Sequence, residues 1–123
     1  MEQNYFRAAV LKKINQPLEI KKLKFPRLKR GQVLVKILYS GICRSQVLEV
    51  DGSRGKDVWL PHLLGHEGSG VVEKIGNGVT KVKKGDEVIL TWIKCNGIEA
   101  APAKYESNGL KINSGRISTF AIF

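Results

Sequence analysis

A chain of 123 residues, 42% of them hydrophobic, can bury the core of one domain but not of two, and this composition excludes wholesale disorder. Its two cysteines provide no disulfide framework, and its first residues lack the apolar core of a signal peptide. We therefore expect a protein of the reducing cytoplasm that neither enters nor spans a membrane.

The formal net charge of +10 raises the question of a nucleic-acid or other anionic partner. The lysines are scattered through strand-like segments, and neither an arginine-rich helix nor an RNA-type aromatic motif accompanies them. Solvated strand faces and edges protected by lysine explain this distribution better. No base-reading motif supports nucleic-acid binding.

The hydrophobic pattern predicts short strands separated by turns, many of them at glycine. The predicted strands cover residues 6–11, 18–25, 32–40, 70–75 and 86–92, with a further strand-like run over 118–123. A short helix is expected over 44–50, and residues 95–115 show no regular pattern. In the third strand, Val33, Val35, Ile37 and Tyr39 fall on one face by period two. The sequence therefore predicts a mainly β, barrel-like domain with one or two short helices.

Two positions in this pattern carry residue types suited to chemistry. Cys43 stands where the third strand ends, and the pair His66-Glu67 lies in a cluster of glycines. A thiolate and an imidazole are ligands of zinc. Taken alone, however, such a cysteine is more often a small core residue, and such a histidine a hydrogen-bonded structural one. His62 is expected to be exposed or simply packed.

The order of several short motifs is more specific than any one of them. The set comprises Gly41-Ile42-Cys43-Arg44-Ser45, Leu60-Pro61, Gly65-His66-Glu67-Gly68, Gly70-Val71-Val72, Gly76, Gly78-Val79 and Lys84-Gly85-Asp86-Glu87-Val88. It resembles the zinc-dependent alcohol dehydrogenases of the medium-chain dehydrogenase/reductase family over about residues 6–90. The resemblance implies a GroES-like β-barrel over 1–123, the zinc and substrate domain. In complete enzymes of the family a Rossmann domain follows and binds the nicotinamide cofactor.

The resemblance also implies roles for individual residues. Cys43 and His66 match ligands of the catalytic zinc, and Glu67 matches an acidic neighbour that is itself a ligand in some members. Ser45 matches the hydroxyl that takes the proton of the alcohol, so Ser45 and Glu67 are the candidate catalytic residues. Arg44 matches a contact to the cofactor pyrophosphate. Trp92 falls near a position that often lines the substrate pocket.

The chain departs from the family pattern at four points. Gln46 replaces an aspartate that orients the metal-bound histidine, and Leu48 replaces a histidine of the proton relay. Cys95 alone occupies the region of a four-cysteine structural zinc lobe, so it is expected to be a free thiol. The third protein ligand of the catalytic zinc would lie beyond Phe123, and no glycine-rich phosphate fingerprint opens a βαβ unit.

These observations together predict the catalytic-domain portion of a zinc-dependent, NAD(P)-linked alcohol or polyol dehydrogenase. Alone, it is expected to be inactive and to bind zinc weakly, with NAD(P) used only in a complete enzyme. The expected substrate in the complete enzyme is a small alcohol, polyol or aldehyde. The sequence allows a homo-oligomer but does not decide the oligomeric state. The alternative is a stand-alone GroES-like barrel that serves as a binding or assembly module.

Overall fold

A computed structural model describes residues 4–93 and 96–114 of the chain. The described part consists mostly of short strands with one short helix. In chain order these are β1 (Tyr5–Leu11), β2 (Glu19–Lys24), β3 (Val33–Ser40), α1 (Arg44–Val50), β4 (His62–Leu63), β5 (Gly68–Ile75), β6 (Glu87–Leu90), β7 (Tyr105–Ser107) and β8 (Leu110–Ile112). None of the described residues belongs to a helix long and apolar enough to cross a bilayer.

The first sheet has the strand order β2-β1-β4 and is antiparallel throughout. Its edge strand β2, with the sequence EIKKLK, carries one glutamate and three lysines. Charged side chains of this kind protect an exposed sheet edge from pairing with another chain. Val10 and Leu11 of the central strand are fully buried and pair with Leu63 and His62 of β4. This short pairing places β4, and the loop that follows it, against the core.

The second sheet has the order β3-β5-β6, also antiparallel. The β3–β5 register shifts at two places, between Leu34 and Val35 and between Ile37 and Tyr39. These irregularities interrupt the simple alternation that the sequence pattern predicted for β3. Tyr39, expected on the same face as Val35 and Ile37, is 77% exposed because it lies beyond the second shift.

A hairpin of β7 and β8 corrects the prediction that residues 95–115 are irregular. Each strand has only three residues, too few for a period-two pattern to emerge. The turn between them is Asn108-Gly109, and both residues have positive φ values, 47° and 80°. Asn-Gly with this backbone is typical of a tight two-residue hairpin turn, and that dipeptide was the overlooked signal.

The main core lies between the first sheet and this hairpin. Its buried residues are Ala8, Val10, Leu23, Leu63 and Ile112. Phe6 packs edge-to-face on Tyr105, with ring centroids 5.6 Å apart, and also against Phe25 at 4.8 Å. These aromatic contacts attach β7 to the first sheet and add to the apolar burial that stabilises the domain.

The predicted elements agree closely with the structure. The helix predicted over 44–50 is α1, and the five strands predicted between residues 6 and 92 correspond to β1, β2, β3, β5 and β6. The mainly β, GroES-like fold class is confirmed. The strand-like run over 118–123 and the free thiol expected at Cys95 lie outside the described residues.

Candidate metal centre

The β3–β5 ladder brings together two loops that lie far apart in the sequence. Ser40, the last residue of β3, pairs with Gly68, the first residue of β5. The pairing continues past the ladder, since the Gly41 amide donates to the Glu67 carbonyl oxygen at 3.2 Å. The Ser40 hydroxyl donates to the same oxygen at 3.3 Å. Strand pairing fixes Ser40 and Gly41, just before Cys43, against Glu67 and Gly68, just after His66. Cys43 therefore comes close to His66.

Gly41 lies directly against the Glu67 side chain. A Cβ at this position would collide with the Glu67 carboxylate oxygen Oε2. This carboxylate is the mobile end of a half-exposed side chain and could move aside, so glycine at position 41 favours the observed position of Glu67 without being required for the loops to meet.

The ligand atoms of Cys43, His66 and Glu67 all lie within 4.8 Å of one another. His66 Nε2 is 3.6 Å from Glu67 Oε1, which is too long for a hydrogen bond. Half of the Glu67 side chain is exposed, so a direct ion pair with His66 would add little to stability. A thiolate, an imidazole and a carboxylate around a common centre are a donor set that suits zinc, so these residues fit the metal that the family uses.

Gln46 holds the backbone of Cys43 at the start of α1. Its buried side-chain oxygen Oε1 accepts a hydrogen bond from the Cys43 amide at 2.8 Å, and the Gln46 amide donates to the Cys43 carbonyl at 3.0 Å. The glutamine thus caps the helix end from which the thiol projects. This bond to the Cys43 backbone is a different task from that of the histidine-orienting carboxylate of the family.

Two of the other predicted site residues lie on α1 next to Cys43, and the third lies just after β6. Ser45 is half-buried in the first turn of α1, and Arg44 is exposed at its start. Trp92 is 71% exposed and lines an apolar cleft of about 480 Å³ with Phe25, Leu28, Ile89 and Ile98. None of the three proposed metal ligands lines this cleft. The described structure therefore brings Cys43, His66 and Glu67 together but does not join Trp92 to them.

A residue near the end of the described chain, Asn113, supports the site although nothing in the sequence predicted it. Asn113 is buried, with φ of 61°, and its Oδ1 accepts a hydrogen bond from the Leu63 amide at 2.8 Å. The backbone N–H of Asn113 donates a hydrogen bond to the Pro61 carbonyl oxygen at 3.0 Å. Asn113 thereby fixes the segment that leads into His66. An asparagine next to a short apolar stretch carries no local signal of such a long-range role.

Comparison with known proteins identifies the family. The profile described as "Alcohol dehydrogenase GroES-like domain" matches residues 29–121, and the chain belongs to this family. An alcohol dehydrogenase from Geobacillus stearothermophilus is 38% identical over 87 residues, covering 71% of this chain and 26% of the relative. An S-(hydroxymethyl)glutathione dehydrogenase from Escherichia coli is 43% identical over 91 residues, covering 74% of this chain and 24% of the relative.

A solved structure agrees with these relatives. The crystal structure of benzyl alcohol dehydrogenase from Acinetobacter calcoaceticus superposes with a TM-score of 0.66 at 36% identity, covering 74% of this chain and 25% of that one. The chain spans about a quarter of the length of each of these three proteins. The predicted resemblance to alcohol dehydrogenases is confirmed, and the stand-alone module gains no support from these matches.

Proposed function

We propose that the chain is the zinc- and substrate-binding portion of an NAD(P)-linked alcohol dehydrogenase. The observation that carries the proposal is the convergence of Cys43, His66 and Glu67 within 4.8 Å. The family membership supports it, and the cytoplasm is the compartment we expect. The substrate we infer is a small alcohol, polyol or aldehyde.

In this proposal the chain's own residues hold and prepare the site. Cys43 and His66 would bind the zinc from two separate loops, with Glu67 as a third ligand or an adjacent negative charge. When bound, zinc supplies a Lewis acid that polarises an alcohol or carbonyl oxygen. The Ser45 hydroxyl, in the first turn of α1, would accept the proton of the alcohol. The exposed guanidinium of Arg44 would contact the cofactor phosphates.

We further propose that this chain alone does not turn over alcohol with NAD(P). Its residues contain no glycine-rich phosphate-binding motif after a strand, so the nicotinamide would have to be held by another part of a complete enzyme. Zinc binding is therefore the property that tests the site directly.

The first prediction concerns metal binding at the candidate centre. In a Cys95→Ser background Cys43 is the remaining cysteine, so a thiolate-to-metal absorption band on Co²⁺ addition reports this site alone. We expect a band that rises and saturates as cobalt is added, with the dependence of a single weak site. Cys43→Ala should abolish it, and His66→Ala should weaken affinity by more than about tenfold, because even residues that merely support a ligand contribute that much. Zinc should displace the cobalt.

Glu106→Gln provides the matched control, since Glu106 is an exposed carboxylate on β7, remote from the cluster in sequence. It should leave the band and the affinity unchanged. Absence of a thiolate band at any cobalt concentration would contradict the proposal. So would a band whose affinity is the same in His66→Ala as in the parent.

A further inference from the structure

A second cluster of metal-ligand side chains lies outside the candidate centre. One ligand atom each of Glu49, Asp57 and His62 lies within 4.8 Å of the others. Glu49 belongs to the last turn of α1, Asp57 to the loop after it, and His62 to β4. His62 has no exposed surface, and the Asp57 side chain is only 12% exposed. The imidazole is therefore enclosed and Asp57 nearly so, while the Glu49 side chain is 20% exposed and reaches the surface.

The ring of His62 is oriented by its backbone surroundings. Its Nδ1 lies 3.0 Å from the carbonyl oxygen of Leu63. A carbonyl can only accept, so Nδ1 carries the hydrogen and donates it. The other nitrogen, Nε2, faces Asp57 Oδ2 at 2.6 Å. One N–H is thus fixed by a carbonyl, as in histidines that bind metals, while Nε2 is engaged by the Asp57 carboxylate, and an ion would have to separate these two atoms to bind both.

The charge of the cluster also favours a cation. Glu49 and Asp57 place two carboxylate groups beside the imidazole, and carboxylate oxygens with an imidazole nitrogen are ligands of divalent transition metal ions. Arg54 lies 3.5 Å from Glu49, but its side chain is 58% exposed, so its charge is largely screened by water.

We propose that Glu49, Asp57 and His62 form a second site, for a divalent transition metal ion. One imidazole nitrogen and two carboxylate oxygens suit Zn²⁺, Co²⁺ or Mn²⁺, whereas Mg²⁺ and Ca²⁺ prefer oxygen ligands throughout. The ion joins the C-terminal turn of α1 to β4. Because α1 begins next to Cys43 and β4 leads into the loop of His66, the second site fixes the distance between the two loops of the first.

The second prediction tests this site with the first one removed. In a chain carrying Cys43→Ala, His66→Ala and Cys95→Ser, we expect a single equivalent of Co²⁺ to bind with weak visible absorption and no thiolate band. Zinc should compete, and Mg²⁺ should not. Adding Glu49→Gln or Asp57→Asn should lower the affinity by more than about tenfold, since each removes a ligand charge with little change of shape. Bound cation should raise the thermal midpoint only where the cluster is intact.

Glu73→Gln, on an exposed position of β5, is the matched control and should leave binding unchanged. Circular dichroism before metal addition establishes that each variant is folded. The proposal is overturned if the Cys43→Ala, His66→Ala, Cys95→Ser chain binds no cobalt. It is also overturned if binding persists unchanged in both the Glu49→Gln and Asp57→Asn variants. Because the first site is absent from this chain, the result does not depend on the outcome for Cys43.

Discussion

Tyr105 links the β7–β8 hairpin to the first sheet through its edge-to-face contact with Phe6. Its burial raises the pKa of the phenol to about 12, because an ionised phenolate would lose its hydration there. The same contact that attaches the hairpin therefore keeps the tyrosine protonated in the folded state. An exposed tyrosine titrates near 10.

The third prediction follows from this difference in pKa. Between pH of about 10 and about 12 the unfolded chain loses the Tyr105 proton while the folded chain keeps it, so the free energy of unfolding falls as pH rises. Tyr105→Phe should reduce the slope of this fall. The measurement is urea unfolding at a series of alkaline pH values.

Tyr39→Phe is the control, because Tyr39 is 77% exposed and its phenol already meets water in the folded state. This variant should follow the parent across the alkaline range. Equal slopes for the parent and Tyr105→Phe would show that burial of this phenol does not contribute to the alkaline loss of stability.

Among the elements, the pairing of β3 with β5 matters most for the candidate centre. Gly70, buried in β5, lies opposite Ile37, and a Cβ there would collide with the Lys36 carbonyl and come within 2.8 Å of a Val35 methyl group. The obstacle is partly backbone, which cannot rotate away as a side chain can. The two strands can therefore approach this closely only with glycine at position 70.

The fourth prediction compares two glycine substitutions. Gly70→Ala should lower the free energy of unfolding by about 1–3 kcal/mol, the usual cost of forcing an extra methyl group into a packed region. It should also weaken cobalt binding at Cys43, because the ladder positions Ser40 and Gly68. Gly97→Ala is the control, since its Cβ would meet only the flexible end of Lys81 at 3.5 Å. Urea unfolding measures the stability of the two variants, and cobalt titration measures their metal binding. Equal stability of the two variants would contradict the prediction.

The agreement between sequence and structure differs among the elements for physical reasons. Strands of six or more residues and α1 leave a clear hydrophobic pattern, and they were predicted within about two residues, the usual variation of element ends. The β7–β8 hairpin and the two-residue β4 are too short for any periodicity. They are stabilised by contacts distant in sequence, such as Asn113 with Leu63.

The candidate centre could be predicted only through the ordered motifs. Cys43 and His66 have no local property that separates a ligand from a core residue, and their proximity comes from the β3–β5 register. The cluster of Asp57 and His62 was missed altogether. The loop between α1 and β4 has no regular pattern from which the burial of Asp57 could be inferred.

At the scale of the whole molecule, excess positive charge is the dominant electrostatic feature. The formal net charge is +10, and the ion pairs of Glu19 with Lys12 and Lys21 lie at the surface. Both lysines, Lys21 first, hold the pKa of Glu19 below its usual value. Such exposed pairs add little to stability and offset only a small part of the repulsion among the remaining cations.

The fifth prediction concerns salt. Because added ions screen repulsion over a distance of about 8–10 Å, raising sodium chloride from low to above physiological ionic strength should increase the thermal midpoint. Differential scanning calorimetry measures the change. Sodium chloride is preferable to sulfate, which stabilises proteins by exclusion from their surface as well as by screening. A midpoint that falls with sodium chloride would show that attractive pairs outweigh the net charge.

The pairing of Ser40 with Gly68 has a consequence for when the candidate centre appears during folding. The two residues are separated by α1, β4 and the intervening loops, so closing this ladder requires a long segment of chain to be brought back on itself. Contacts of this range form slowly compared with helices and tight hairpins. A newly made chain therefore carries the Cys43 thiol before it possesses a site. Until the ladder closes, Cys43 is an ordinary accessible cysteine, open to oxidation or to any reagent that meets it.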